Sequence, residues 1–199
     1  DVAAQLFYKA LRGKQSAEDA DMFRGQMLTE MARMSLDDWL ALQIHADSTR
    51  NHSGDVMARF GRNKGYDIPT QTDYVAALKP LLNAVGGEAG LTIITFTLDE
   101  TAFSRELAPL AGVYPALKLG PPWWFHDSAE GMRRFRETVT ETAGFYNTVR
   151  FNDDTRAFCS IPARHDVARR VDCAYLATLV ATGRLAEDEA AQVAYDLTY

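Results

Sequence analysis

Four short apolar segments, each separated from the next by helix-patterned chain, constrain the fold of this sequence more than any other feature. They are Trp39-Leu-Ala-Leu-Gln-Ile-His45, Leu91-Thr-Ile-Ile-Thr-Phe-Thr97, Ala116-Leu-Lys-Leu119 and the stretch 148–152, which begins Thr148-Val-Arg-Phe151. The second is β-branched almost throughout, as suits a pleated, packed surface. Strands alternating with helices are the pattern of parallel βαβ units, because a parallel neighbour needs a crossover long enough to hold a helix. The four strands are expected side by side in chain order. A closed (β/α)8 barrel needs eight strands and usually about 250 residues. The alternation therefore fits either half of such a barrel or a small open α/β sheet, and by itself leaves both open.

The helices can be placed from periodicity and caps. Val2 to Leu11 is helical in pattern and ends at Gly13. Ser16 with Asp19 has the spacing of an N-cap and its N3 acid, and opens a helix of about 20 residues. Met22, Phe23, Met27, Met31 and Met34 recur on it at steps of three and four, a spacing expected to pack into the core. Ala46 to Thr70 is long and polar, the kind of segment that in compact domains is usually functional or disordered. Further helices are expected from Asp73 to Val85, with Pro80 bending it or marking its start, from an Asp99 cap to Leu110, and from an Asp127 cap to Thr142. Two more, Arg164 to Thr182 and Glu187 to Leu197, finish the chain.

Composition excludes several functions. With a net charge of −6 and a pI near 5.2, the chain is unsuited to non-specific binding of nucleic acid or an anionic membrane surface. No apolar run approaches the roughly 18 residues that would span a bilayer. Cys159 and Cys173 are too far apart for a CxxC metal pair and form no disulfide framework, so a reduced, cytoplasmic setting is expected. The sequence opens at Asp1 inside a helix pattern, as a fragment of a longer chain would.

Active sites in parallel α/β folds lie beyond the carboxyl ends of the strands. The first strand delivers His45 and then Arg50, the third Trp123, Trp124, His126 and Asp127, and the fourth Asp153, Asp154 and Arg156. Each has a plain structural reading: a strand-end histidine, a packed tryptophan pair, a capping aspartate. Their arrival at one rim points instead to a polar pocket for an anion or a sugar. Arg50 and Arg156 suit bidentate grip of a carboxylate. Asp154 is a candidate metal ligand or base, and His45 a complementary acid or base.

The segments 43–51, 120–132 and 154–170 form three ordered motifs, and together they resemble the uronate isomerase family of the amidohydrolase superfamily. Gln43-Ile-His45-Ala-Asp-Ser-Thr-Arg50-Asn51 is similar to that family's Q-[LIF]-H-x-G-x-x-R-N segment at its fifth strand, with Asp47 where Gly is common. Gly120-Pro-Pro-Trp123-Trp124-Phe125-His126-Asp127, followed by Gly131-Met132, resembles its G-x-x-W-W-F-N-D…G-M segment at the seventh. Asp154-Thr-Arg156-Ala-Phe158, with Arg164-His165 and Arg169-Arg170, resembles its D-S-R-S-F…R-H…R-R segment at the eighth.

The resemblance implies the C-terminal half, strands five to eight, of a (β/α)8 barrel with extra C-terminal helices, forming a single or partial domain over 1–199. It implies interconversion of D-glucuronate with D-fructuronate and of D-galacturonate with D-tagaturonate, by proton transfer between C2 and C1. Asp154 would bind a divalent metal, usually zinc, and move the proton. His45, Arg50, Arg156 and Trp123 would contact the sugar acid. The family's remaining metal ligands are an H-x-H pair, and none occurs among His45, His52, His126 and His165. Two further histidine ligands are therefore expected outside this chain, and the partner is expected to be the missing N-terminal half or a second copy. By itself the chain is expected to be inactive or nearly so. The competing readings are a metal-dependent hydrolase of the same superfamily and a non-catalytic α/β domain that binds a sugar acid.

Overall fold

The computed structural model describes residues 2–46, 48–152 and 157–199. Asp154 and Arg156, to which the sequence assigns base, metal and substrate roles, thus lie outside the described residues, as do Asp47 and Asp153.

Helices α1 (Val2–Leu11) and α2 (Ala17–Asp37) open the chain. The expected capping box forms: Ser16 Oγ accepts from the Asp19 amide at 3.1 Å, and the Ser16 amide donates to Asp19 Oδ2 at 2.7 Å. The Lys9 ammonium, bonded to the same carboxylate, is the main reason Asp19 is held down at about 2.

Then follow β1 (Leu42–His45), the two-residue strands β2 (Ser48–Thr49) and β3 (Ile68–Pro69) flanking α3 (Gly54–Phe60), and α4 (Tyr74–Val85). Next come β4 (Ile93–Phe96), a π-helical segment Phe103–Leu107 running into α5 (Ala108–Val113), and β5 (Leu117–Leu119). Helices α6 (Ala129–Ala143), α7 (Ile161–Ala181) and α8 (Glu187–Asp196) complete it.

The sheet is parallel and runs β1-β4-β5 in chain order, with Leu42 opposite Ile93 and Ile93 opposite Leu117. The expected fourth strand is reduced to one parallel bridge, Leu119 with Thr148, although it takes the expected position beyond β5. The Leu119 amide donates to Asn147 O, and the Val149 amide to Leu119 O, both at 2.9 Å. The chain then leaves the ladder, and Phe151 packs edge-on against His165 of α7, ring centres 5.1 Å apart. Arg136 of α6 holds this segment in place. It forks onto Asp172 of α7 at 2.7 and 3.0 Å and donates to Thr148 Oγ1 at 2.9 Å.

Strand alternation splits the sheet into two unlike faces. Leu42, Ile44, Ile93, Leu117 and Leu119 meet the helices and form the core with Leu78, Leu82, Phe103, Leu107 and Val139. Gln43, His45, Ile94, Phe96 and Lys118 point the other way. Lys118 donates to Asn147 Oδ1 at 2.8 Å, and burial lowers its pKa.

Several expectations need correction. The methionine stripe of α2 is not core: Met22, Met27, Met31 and Met34 are all exposed. The helix sits instead on Leu28, Ala32 and Leu36, a set at i, i+4 and i+8 on a different face. The helix expected from Asp127 is capped by Ser128, whose Oγ accepts from the Gly131 amide at 3.1 Å. Asp127 is instead taken by an ion pair with Arg164. Pro80 does not mark the start of α4, which begins at Tyr74 and runs through it. Among the described residues, no helix is long and apolar enough to cross a membrane.

Gly120 ends β5 at a close approach. Its amide donates to Thr95 O at 2.9 Å, and a Cβ there would stand 2.4 Å from the Phe96 ring. Gly120→Ala should therefore cost about 1–3 kcal/mol by overpacking, seen as a lower urea midpoint with an unchanged slope. An unaltered midpoint would mean that Phe96 yields freely.

Candidate active site

Parallel strands present all their carboxyl ends on one side, and the site is built there. β1 ends in His45, whose ring stacks on Phe96 from the end of β4 at 4.2 Å. Trp123, three residues beyond Gly120 in the loop that leaves β5, meets the His45 ring edge-on at 5.0 Å. Three segments distant in sequence thus close on one histidine. The Trp123 indole Nε1 is buried and has no acceptor among the described residues. Such a donor is costly to leave unmade and is available to an oxygen of a bound molecule.

Arg50, on the turn after β2, completes this wall. Its guanidinium lies over the Trp124 ring at 5.8 Å and reaches Asp67 Oδ2 at 3.4 Å. Asp67 is buried and also accepts from the Asn51 amide at 2.8 Å, so it fixes both the turn and the arginine. Trp124 and Asn51 both have positive φ, 52° and 55°, a conformation that non-glycine residues adopt only where their surroundings hold them.

His45, Arg50, Trp123 and Trp124 line a cleft of about 1060 Å3, together with Arg62, Asn63, Lys64, Gly65, Asp67, Asp127 and Arg164. That volume is at the upper end of the usual range for ligand cavities, roughly 300–1,000 Å3. Of the residues selected from sequence, His45, Arg50 and Trp123 are brought together. The same cleft contains an Asp127–Arg164 pair joining the loop after β5 to α7. Sequence reading missed Asp67 and the 62–65 turn, which carry no motif, and took Phe96 as ordinary strand core.

The other histidines go elsewhere. His126 turns away from the cleft: its Nε2 pairs with Leu98 O at 2.8 Å, and its Nδ1 is 3.8 Å from Glu100. His165 packs on Phe151, and His52 is exposed. Among the described residues, no group of three or more His, Cys, Asp or Glu could hold a metal ion. The described donors alone therefore do not fit a zinc site, which takes three or four protein ligands.

Comparison with known proteins shows the family. The family model described as glucuronate isomerase matches residues 1–199. The uronate isomerase of Rhizobium meliloti (strain 1021) is 73% identical over 197 residues, covering 99% of this chain and 42% of the relative. That of Mesorhizobium japonicum is 70% identical over 200 residues, 100% of this chain and 43% of the relative. The crystal structure of glucuronate isomerase from Caulobacter crescentus superposes with a TM-score of 0.91 at 64% identity, over 99% of this chain and 41% of that one. The uronate isomerase of Thermotoga maritima shares the fold, with a TM-score of 0.86 at 24% identity over 100% of this chain and 44% of that one. The chain thus spans about 42% of the length of the first of these relatives. It belongs to the glucuronate isomerase family.

Proposed function

We propose that this chain supplies the substrate-binding wall and the base of a hexuronate isomerase, within a longer polypeptide of its relatives' length. The observation that carries the reading is the convergence of His45, Arg50 and Trp123 on one cleft at the carboxyl ends of parallel strands. Their chemistry suits a sugar acid. An arginine offers a fork to the carboxylate, an aromatic edge meets the sugar face, and an unmatched indole N–H stands ready for a hydroxyl.

The reaction needs a proton removed from C2, alpha to the open-chain aldehyde. A carboxylate, Asp154, takes it, and the C1 carbonyl oxygen becomes an enediolate oxyanion that His45 stabilises by donating a hydrogen bond, while Arg156 holds the carboxylate at C6. The proton returns at C1, O2 gives up its own proton as the C2 carbonyl forms, and O1 gains one. His45, beside the cleft, is suited to carry that oxygen-to-oxygen transfer.

The sheet is read as strands five to eight of a (β/α)8 barrel, with 1–199 as one partial domain. Its order, and the polar residues Gln43, His45 and Lys118 on the face away from the helices, support this. The zinc expected from the motifs would need its two histidines from polypeptide beyond this chain. A reducing, cytoplasmic setting accords with the exposed, unpaired Cys159 and Cys173.

The test is ketose formation from D-glucuronate and D-galacturonate by the longer polypeptide, with and without zinc. Turnover of amides or esters instead would favour the hydrolase, and tight binding without turnover the sugar-acid binding domain. Arg156→Lys should raise KM about tenfold or more while leaving the fold intact, because an ammonium offers a point charge in place of a planar fork. A KM equal to that of the parent enzyme would remove Arg156 from the carboxylate.

A further inference from the structure

The cleft contains a second set of cations beside the arginine already assigned to substrate. Among its described lining residues, Arg50, Arg62, Lys64 and Arg164 face only two carboxylates, Asp67 and Asp127. Those two acids are already engaged, Asp67 with Arg50 and Asp127 with Arg164. Among the described residues, no carboxylate pairs with Arg62 or Lys64. In a chain of net charge −6, Arg62 and Lys64 are thus two positive charges with no paired carboxylate among the described residues, both on one turn.

That turn is a built feature. The Asn63 amide donates to Asn51 Oδ1 at 3.0 Å, and the Tyr66 hydroxyl to Gly61 O at 2.9 Å. The His52 amide donates to Tyr66 O at 3.3 Å. Asn63 and Gly65 have φ of 59° and 81°, and glycine meets that requirement without steric cost. The Asn51 that holds the turn is also the residue tied to Asp67, the partner of Arg50. One short network therefore sets the position of Arg50 and of the Arg62–Lys64 turn together.

We propose that Arg62 and Lys64 are specificity-determining residues, an electrostatic collar that draws the uronate carboxylate into the cleft and favours sugar acids over neutral aldoses. This rests on the hexuronate reading above. An excess of one sign in a cleft focuses the field there and raises the encounter rate of an oppositely charged ligand, by 10- to 1,000-fold where the walls are all of that sign. The collar acts on capture, ahead of the proton transfer, so it affects kcat/KM and leaves kcat alone.

The experiment is steady-state kinetics of the longer polypeptide carrying R62Q/K64Q. With D-glucuronate at low ionic strength, kcat/KM should fall about tenfold or more, with kcat within twofold of the parent enzyme. The difference should close near 1 M salt, where the screening length is about 3 Å. The charge-preserving R62K/K64R should keep the parental KM. Quenching of tryptophan fluorescence by D-glucuronate gives a second readout, and its Kd should rise with KM. Parental KM and salt dependence in R62Q/K64Q would overturn the collar, as would equal losses in kcat and kcat/KM or an equal defect in R62K/K64R. If the parent enzyme forms no ketose, the hexuronate reading itself fails, a result separate from any of these.

Discussion

Asp154→Asn should lower the kcat of the longer polypeptide roughly a thousandfold, in the middle of the range for removing a positioned general base, while leaving its circular dichroism and melting transition unchanged. Asparagine keeps the size of the side chain and removes its charge and its ability to take a proton. Arg136 and the Leu119–Thr148 bridge deliver the chain beyond β5 to the same end of the sheet as His45, and Asp154 follows six residues after Thr148. The Arg136–Asp172 fork is buried among α6 and α7, so the support for that segment does not depend on Asp154 itself. The loss should fall on kcat far more than on KM, because the proposed role of the carboxylate is at the C2 proton and that of the arginines is to hold the acid. An asparagine variant with near-parental kcat would move the base elsewhere on the rim.

How much of this was legible in the sequence follows from which interactions are local. The strand core at Ile93–Phe96 announces itself by β-branching and that at Leu117–Leu119 by its two leucines, and their parallel order follows from the helices between them. The capping box at Ser16 is a four-residue pattern and was readable for that reason. Motif spacing identified His45, Arg50 and Trp123, and strand-end logic put them on one rim.

What failed was long-range. Nothing near Asp127 in sequence says that Arg164 claims it in preference to the cap, which Ser128 then supplies. The α2 methionines satisfy helical spacing as well as Leu28, Ala32 and Leu36 do. Which stripe is buried depends on where β1 and α4 lie, and that is tertiary information. Asp67 and the Arg62–Lys64 turn reach the cleft through the Asn51 hydrogen bonds, a contact between loop residues with no sequence signature.

The 199-residue chain by itself should form no measurable ketose and should self-associate. Among the described residues, β1 pairs on one side only, with β4. An edge of free amides and carbonyls is a template for pairing with another chain. On the face of the sheet away from the helices, Gln43 is exposed and Ile94 and Lys118 are only half-buried. Near its amino end, Met34, Trp39 and Leu40 are 60%, 85% and 64% exposed, apolar surface of the kind that marks an interaction site. Supplying in trans the polypeptide that corresponds to the N-terminal part of its relatives should cover these surfaces and complete the cleft. Light scattering coupled to size exclusion should therefore show assemblies larger than 22.1 kDa for the chain alone. Co-expression with the complementary segment should give a defined complex with restored isomerase activity. A monodisperse monomer of 22.1 kDa with full activity would overturn the half-barrel reading, because one protomer would then contain every group the proton transfer needs.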